Sequence, residues 1–179
     1  MRQGVPGYVF GLMAALAMLL APLSIAQAAY YTDVSIEYHT VDLAGKNLHP
    51  YTVRLKAGAP IARGFGIEAS YATPMNDDGI NQLNLDIEQQ TSLHVRYQGS
   101  QSYNGVTLYL LLGQTWTTVS TSGPNAIPDE DFKDLSWGIG AEDYSRSVKN
   151  LFYSFQYTRY FEDDDLTMSG ISLGLRYNF

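Results

Sequence analysis

The residues most able to do chemistry in this chain are its three histidines and a set of opposite charges at alternating positions. Imidazole is the side chain best suited to acid–base work near neutral pH, so His39, His49 and His94 are each a candidate general base. None has a serine two residues further on, and no local motif supplies a nucleophile. A catalytic trio could still assemble from distant segments, because such trios are defined by geometry. Cysteine is absent, which removes thiolate nucleophiles, thiolate metal ligands and disulfides together. The charges are more informative. Glu37, Glu68 and Glu142 can meet Arg54, Lys56, Arg96 and Arg176, and guanidinium–carboxylate pairs form strong, directional bonds. Away from water such groups must pair or become very costly. The expected chemistry is electrostatic cross-linking, with no catalytic residue, cofactor or metal ligand assigned.

A second charge pattern is purely acidic. Asp77-Asp78, Asp129-Glu130-Asp131 and Glu162-Asp163-Asp164-Asp165 gather carboxylates in three separate stretches. Hard divalent cations prefer oxygen ligands, but none of the three has the spacing of a dedicated calcium loop. Solvated loops are the expectation. The formal net charge of −7 argues against nucleic acid, whose phosphates call for a basic surface.

Strands must position these side chains, because the alternation around them has period two. Glu37 shares a face with Asp33, Ser35 and His39, opposite Val34, Ile36 and Tyr38. Arg54 and Lys56 oppose Tyr51, Val53 and Leu55, and Glu68 and Ser70 oppose Phe65, Ile67, Ala69 and Tyr71. His94 and Arg96 alternate with Leu93, Val95 and Tyr97. In the fifth segment Thr107, Tyr109 and Gly113 alternate with Val106, Leu108, Leu110 and Leu112, while Leu111 breaks the polar rule. Gly138, Gly140 and Glu142 then face away from Trp137, Ile139 and Ala141. Ser154, Gln156 and Thr158 face away from Leu151, Tyr153, Phe155 and Tyr157. The eighth segment, Ile171 to Phe179, sets Leu173, Leu175, Tyr177 and Phe179 against Ser172, Gly174, Arg176 and Asn178.

Each segment is near the roughly 9–11 residues that a tilted membrane strand needs. Short connections at Gly58–Gly64, Gln98–Gly105 and Tyr144–Asn150 alternate with longer acidic ones, as in an up-and-down barrel. An eight-stranded barrel has room inside only for side chains. The polar set is therefore expected inside, with Glu37, Arg54, Glu68, Arg96, Glu142 and Arg176 as a lumen network, and the apolar set in lipid. Gly138 and Gly140 are expected to leave local space that water could enter. The phase of Leu83, Leu85 and Ile87 matches that of Leu93, Val95 and Tyr97. One continuous strand there would overshoot the membrane and could offer an edge to a partner strand. A fold-back into a structured loop is preferred.

At the other end, Arg2 precedes an apolar run from Tyr8 to Ala21, Pro22 ends it, and Ala26-Gln27-Ala28 supplies small residues. This is the pattern of a secretory leader, residues 1–28, cleaved to leave residues 29–179 as one domain. The run is shorter than the about 20 residues a membrane-spanning helix requires.

Several stretches carry a family resemblance: Leu110-Leu111-Leu112-Gly113, Trp137-Gly138-Ile139-Gly140-Ala141-Glu142, Gln156-Tyr157-Thr158-Arg159-Tyr160 and Ser172-Leu173-Gly174-Leu175-Arg176-Tyr177-Asn178-Phe179. The mature segment resembles the small bacterial outer-membrane β-barrels that include opacity-type surface proteins and the outer membrane protein A transmembrane domain. The resemblance implies an all-β, eight-stranded antiparallel up-and-down transmembrane barrel in the bacterial outer membrane, with both termini periplasmic. It implies contact with membrane lipids and lipopolysaccharide, and assembly through periplasmic chaperones and the barrel assembly machinery. That machinery would read Leu173, Leu175, Tyr177 and Phe179. Some such barrels are lipid-modifying enzymes, one type using a His-x-Ser pair that is missing here. No peptidoglycan-binding domain is expected after Phe179. The leading expectation is a non-enzymatic barrel with a plugged lumen, acting in envelope structure and surface interaction through acidic loops. The alternative is a narrow, porin-like passive pore.

Overall fold

A computed structural model describes residues 30–43, 46–76, 78–80, 83–103, 105–122, 130–162 and 166–179. The leader assigned to residues 1–28 lies outside them, as do Asp77, Asp129 and Asp163-Asp164-Asp165 of the acidic stretches. The described residues form β1 (Tyr31–Leu43), β2 (Lys46–Leu48), β3 (Tyr51–Ala62), β4 (Phe65–Asn76), β5 (Asp78–Ile80), β6 (Leu83–Tyr103), β7 (Val106–Ser122), β8 (Glu130–Tyr144), β9 (Leu151–Glu162) and β10 (Leu166–Asn178). The eight long strands pair antiparallel in sequence order, and β10 closes on β1 from Tyr31↔Asn178 to Leu43↔Leu166. Closure satisfies the backbone from strand to strand, which is what a sheet needs in order to cross lipid. The described residues contain no helix long and apolar enough to span a membrane.

Burial follows the alternation, with the polar side inward. Asp33, Ser35, Glu37 and His39 are buried while Val34 and Ile36 between them are exposed. Leu108 and Leu173 are 60% and 65% exposed, and Arg54 is 1% exposed. A soluble barrel would reverse these values, because burying an isolated charge costs more than wetting a leucine. The outer wall is made for an apolar medium.

β2 and β5 extend their neighbours at the long-loop end. β2 keeps the β1 register through Val41↔Leu48, and the ladder is interrupted only around Pro50, which has no N–H to give. At the opposite end the turns are tight. Arg63 and Gly64 both have positive φ, 23° and 86°, giving the two-residue hairpin whose twist suits antiparallel strands. Gly105 (φ 94°) closes the β6–β7 hairpin. β3 and β6 thus run further, to Ala62 and Tyr103, than their alternation suggests.

The preferred fold-back of Leu83–Ile87 is not what forms. β6 is a single strand of 21 residues. Its upper part pairs with β5 through Asp78↔Leu85 and Ile80↔Leu83, and with β7 through Asn84↔Ser122 and Leu85↔Thr121. Leu85 is therefore paired on both sides, and Leu83 on its β5 side. The shared phase is also broken: a register shift between Ile87 and Gln89 leaves Glu88 as an extra residue. A bulge moves everything beyond it to the other face, so Ile87 is fully buried inside while Leu93 is 51% exposed outside. In β9 a second shift, where Met168 pairs with Phe161 but Ser169 with Arg159, leaves Tyr160 inward in phase with Gln156 and Thr158 and brings Phe161 against the interior as well.

Candidate functional site

The interior carries the molecule's polar chemistry, in two bonded layers. In the layer nearer the termini, β8 supplies Glu142, which accepts Arg96 Nη2 at 2.6 Å from β6 and Arg176 Nη1 at 2.5 and 2.7 Å from β10. One carboxylate thus joins two guanidiniums from strands on either side of it. Arg96 also reaches Glu68 Oε2 at 3.4 Å, and Tyr31 donates its hydroxyl to the same oxygen at 2.6 Å. Both guanidiniums stack on phenols: Arg176 lies 3.6 Å from the Tyr31 ring centre and Arg96 3.6 Å from that of Tyr109. Such stacking adds cation–π attraction to the ion pairs. The two tyrosines occupy space conceded by glycine, since a Cβ on Gly58 would strike the Tyr31 ring and one on Gly140 the Tyr109 ring. The space at Gly140 is thus filled by an aromatic ring. At Gly138 a Cβ would meet Thr158 Oγ1 at 3.2 Å and Leu111 Cδ1 at 3.4 Å, so Leu111, the exception on the polar face, does the filling there.

Asp33 links this layer to the next. It accepts Ser154 Oγ at 2.6 Å and lies 3.5 Å from Lys56 Nζ, which donates to Gln156 Oε1 at 3.0 Å. The second layer centres on Glu37 and Arg54, with Nε 2.5 Å from Oε2. Tyr160 donates to the other Glu37 oxygen at 2.5 Å, and His39 Nε2 sits 2.9 Å from Thr52 Oγ1. Arg54 spends its remaining donors on Ser70 at 2.9 Å and on Gln90, whose amide passes the chain on to Thr117 at 3.0 Å. Four buried carboxylates (Asp33, Glu37, Glu68, Glu142) therefore meet four buried cations (Arg54, Lys56, Arg96, Arg176) among the described residues. Charges in a low-dielectric interior are tolerable only in such company.

Between the layers runs a line of hydroxyls. His94 Nε2, Ser136 Oγ, Thr115 Oγ1 and Ser92 Oγ are joined by successive contacts of 2.8 Å. Glu68 stands opposite His94 in the ladder. A hydroxyl, an imidazole and a carboxylate are thus gathered from three strands, but Ser136 is 0% and His94 3% exposed. His49 behaves differently, stacking on Tyr38 at the outer rim with ring centres 5.2 Å apart.

Above the second layer the lumen turns apolar. Val41, Leu48, Ile87, Tyr160 and Met168 form a buried cluster, joined by Val119 and Phe161. Plain alternation brings Val41, Tyr160 and Met168 inward, in phase with His39, Thr158 and Gly170, and the two bulges add Ile87 on β6 and Phe161 on β9.

All six charged residues singled out from the sequence (Glu37, Arg54, Glu68, Arg96, Glu142 and Arg176) are buried in the interior. Arg96 joins Glu68 to Glu142 and Arg176, and Arg54 pairs with Glu37. Leu173, Leu175, Tyr177 and Phe179 lie exposed on the outer wall along β10. Asp33, the three inward tyrosines and the two glutamines were not assigned roles by that reading. Asp33, Tyr109 and Tyr160 were legible from parity, whereas the inward placing of Ile87 and Phe161 depends on the bulges.

A family model for the outer membrane protein beta-barrel domain matches residues 10–179. No curated protein matches the chain by sequence. Among solved structures, the attachment invasion locus protein Ail of Yersinia pestis superposes with a TM-score of 0.61 at 18% identity, covering 86% of this chain and 99% of that one. The outer membrane protein OprG of Pseudomonas aeruginosa gives 0.59 at 13% identity, covering 86% and 97%. Neisserial surface protein A gives 0.56 at 14%, covering 86% and 99%. The family match over nearly the whole chain and the shared fold together place this protein in the outer membrane protein β-barrel domain family, among the small eight-stranded barrels of the bacterial outer membrane.

Proposed function

We propose that this protein is a non-enzymatic outer-membrane barrel whose lumen is closed by its own side chains, and that it acts in envelope structure and surface interaction through its long-loop end. The observation that carries this reading is the interior itself: eight charges paired across six strands, capped by an apolar cluster. An ion entering from the long-loop side would meet a dry layer before any polar group. The buried Ser136–His94 pair supports the absence of catalysis, since no lipid can reach a hydroxyl with no exposed surface.

In this reading both termini are periplasmic, because Tyr30 and Phe179 meet at the end with the short turns. Leu173, Leu175, Tyr177 and Phe179 present the apolar side of the closing strand to chaperones and the assembly machinery, and afterwards to lipid. The opposite end, beside lipopolysaccharide, carries Asp42, Glu88, Asp131, Asp134 and Glu162 among its described residues. Ail has been solved with sucrose octasulfate, a heparin analogue. Carboxylates repel such polysulfates, so a cationic ligand suits this surface better.

Single-channel conductance of the refolded mature protein tests the closed lumen. The wild type should be silent in a planar bilayer, and Glu68→Ala and Arg96→Ala should begin to leak. Steady wild-type openings, altered in selectivity by the same variants, would instead establish a narrow pore. The atoms that favour that second reading are Ser35 Oγ, His39 Nδ1, His94 Nδ1 and Arg96 Nε, buried without a bonded partner.

A further inference from the structure

The outer wall is not evenly filled. Phe65, Val95, Tyr97, Leu110, Leu112 and Trp137, all about half exposed, border a groove of about 620 Å³ that crosses β4, β6, β7 and β8. Register sets its course: Phe65 stands opposite Tyr97, Tyr97 opposite Leu110, Val95 opposite Leu112, and Leu112 opposite Trp137. Leu111 turns its side chain into the lumen and Gly138 has none, so main chain forms the floor there. The walls are almost wholly apolar, and they offer a polar guest nothing. A hydrocarbon chain suits such a slot.

One end of the groove adds a charge. Phe65 opens β4 directly after the Arg63–Gly64 turn, and its ring meets that of Tyr97 with centres 4.8 Å apart. The turn is fixed to this foot. Gln98 N–H donates to the Gly64 carbonyl at 2.7 Å, and a Cβ on Gly64 would lie 3.5 Å from the Tyr97 ring. Arg63 is therefore held beside the foot of the groove, exposed, and it enters none of the ion pairs formed among the described residues. Arg146 and Lys149 of the β8–β9 turn are exposed at the same end, where Asp143 is the only exposed acidic side chain among the described residues. The short-turn rim is thus cationic and the long-loop rim acidic.

We propose that this groove is a site for an anionic phospholipid of the periplasmic leaflet, with an acyl chain along Phe65, Tyr97, Leu112 and Trp137 and the headgroup phosphate on Arg63. The proposal goes beyond the closed-lumen reading and takes from it only the periplasmic placing of the short turns. A guanidinium can bond two phosphate oxygens at once, which suits Arg63 to the headgroup. Lipopolysaccharide would enter from the other rim, where Arg159 is already engaged by Glu162 at 2.9 Å and carboxylates repel phosphate. A second copy of this chain fits no better. It inserts the same way up, so a two-fold pairing would set groove against groove and Arg63 against Arg63.

Fluorescence of Trp137 tests the proposal, because bromine on an acyl chain quenches an indole only at contact. Trp116 and Trp137 are the only tryptophans, so Trp116→Phe leaves a single reporter, lying in the groove. The difference between the unaltered protein and Trp137→Phe gives the same signal. In phosphatidylcholine vesicles, brominated phosphatidylglycerol should quench Trp137 at about one-fifth of the mole fraction that brominated phosphatidylcholine needs, the worth of one cation near an anionic surface. Arg63→Gln should abolish that preference and leave quenching by brominated phosphatidylcholine unchanged, while Arg146→Gln/Lys149→Gln should keep it. Equal quenching by both headgroups would make the groove ordinary lipid-facing wall and overturn the proposal. A preference that survives Arg63→Gln would overturn it too, as would relief of quenching by unlabelled lipopolysaccharide but not by unlabelled phosphatidylglycerol. Trp137 shielded from both lipids in a cross-linked dimer would give the groove to a second copy. Lumen conductance does not depend on Arg63, so a failed closed-lumen reading and a failed lipid site are told apart.

Discussion

The polar belt and the apolar mouth fill the same tube by opposite means. In the belt, Glu142 is bonded at once to Arg96 and Arg176, Glu68 to Arg96 and Tyr31, and Glu37 to Arg54 and Tyr160. Each bond needs its partner in place, so removing one group strands others in a low dielectric. In the mouth, Val41, Leu48, Ile87 and Met168 hold one another by contact, with only a weak bond from Gln90 Nε2 to Met168 Sδ at 3.8 Å added. The belt is exacting and the mouth forgiving. One lumen thus combines a layer of specific bonds with a layer of apolar contact.

The largest effect should come from breaking the belt at its most shared group. Glu142→Ala leaves two buried guanidiniums without their common carboxylate and should cost about 3–5 kcal/mol, read as a lower urea midpoint for unfolding from bilayers. Replacing the trio together, Arg96→Met, Glu142→Leu and Arg176→Met, should cost far less. If the trio variant is as unstable as Glu142→Ala, the belt depends on charge itself and the contrast with the mouth is wrongly drawn.

Cutting the mouth should hurt less. Ile87→Ala removes a fully buried side chain and should cost about 2 kcal/mol, the low end for such truncations, because neighbours at an open end can settle inward. Its conductance should remain that of the wild type while the belt stands. Leakage from Ile87→Ala alone would make the mouth, and not the belt, the true seal. Tyr160→Phe touches both regions, keeping the ring in the cluster and removing the hydroxyl from Glu37. A bond to a charged group is worth about 1.5–3 kcal/mol, and the lower figure is expected because Arg54 still holds the carboxylate. The smallest change belongs to the outer wall. Leu173→Ala exchanges one apolar surface for another against lipid tails as apolar as leucine, and equilibrium unfolding should move by less than about 1 kcal/mol.

The architecture was legible in the sequence because a barrel wall is a local pattern. Period two from Val34 to Tyr38 or from Ile171 to Phe179 assigns each residue a face, and eight such runs leave little choice of topology. Inward charges followed from the same parity, and Glu37, Arg54, Glu68, Arg96, Glu142 and Arg176 could be named before any coordinates. Pairing could not, since Arg96 and Glu142 come from strands 46 residues apart and could each have met another ion. Parity also failed where one residue was added. Leu83, Leu85, Ile87 and Leu93 share a phase on paper, yet Glu88 as an extra residue puts Ile87 in the lumen and Leu93 in lipid. The sequence by itself therefore determined the barrel, its inside and its outside, because alternation is a property of each strand taken alone. Only the tertiary structure decided which charges pair, where Tyr31 and Tyr109 fill the space above glycine, and how two bulges bring Ile87 and Phe161 to the mouth. Those outcomes depend on register between strands, and a shift of one residue reverses every face beyond it.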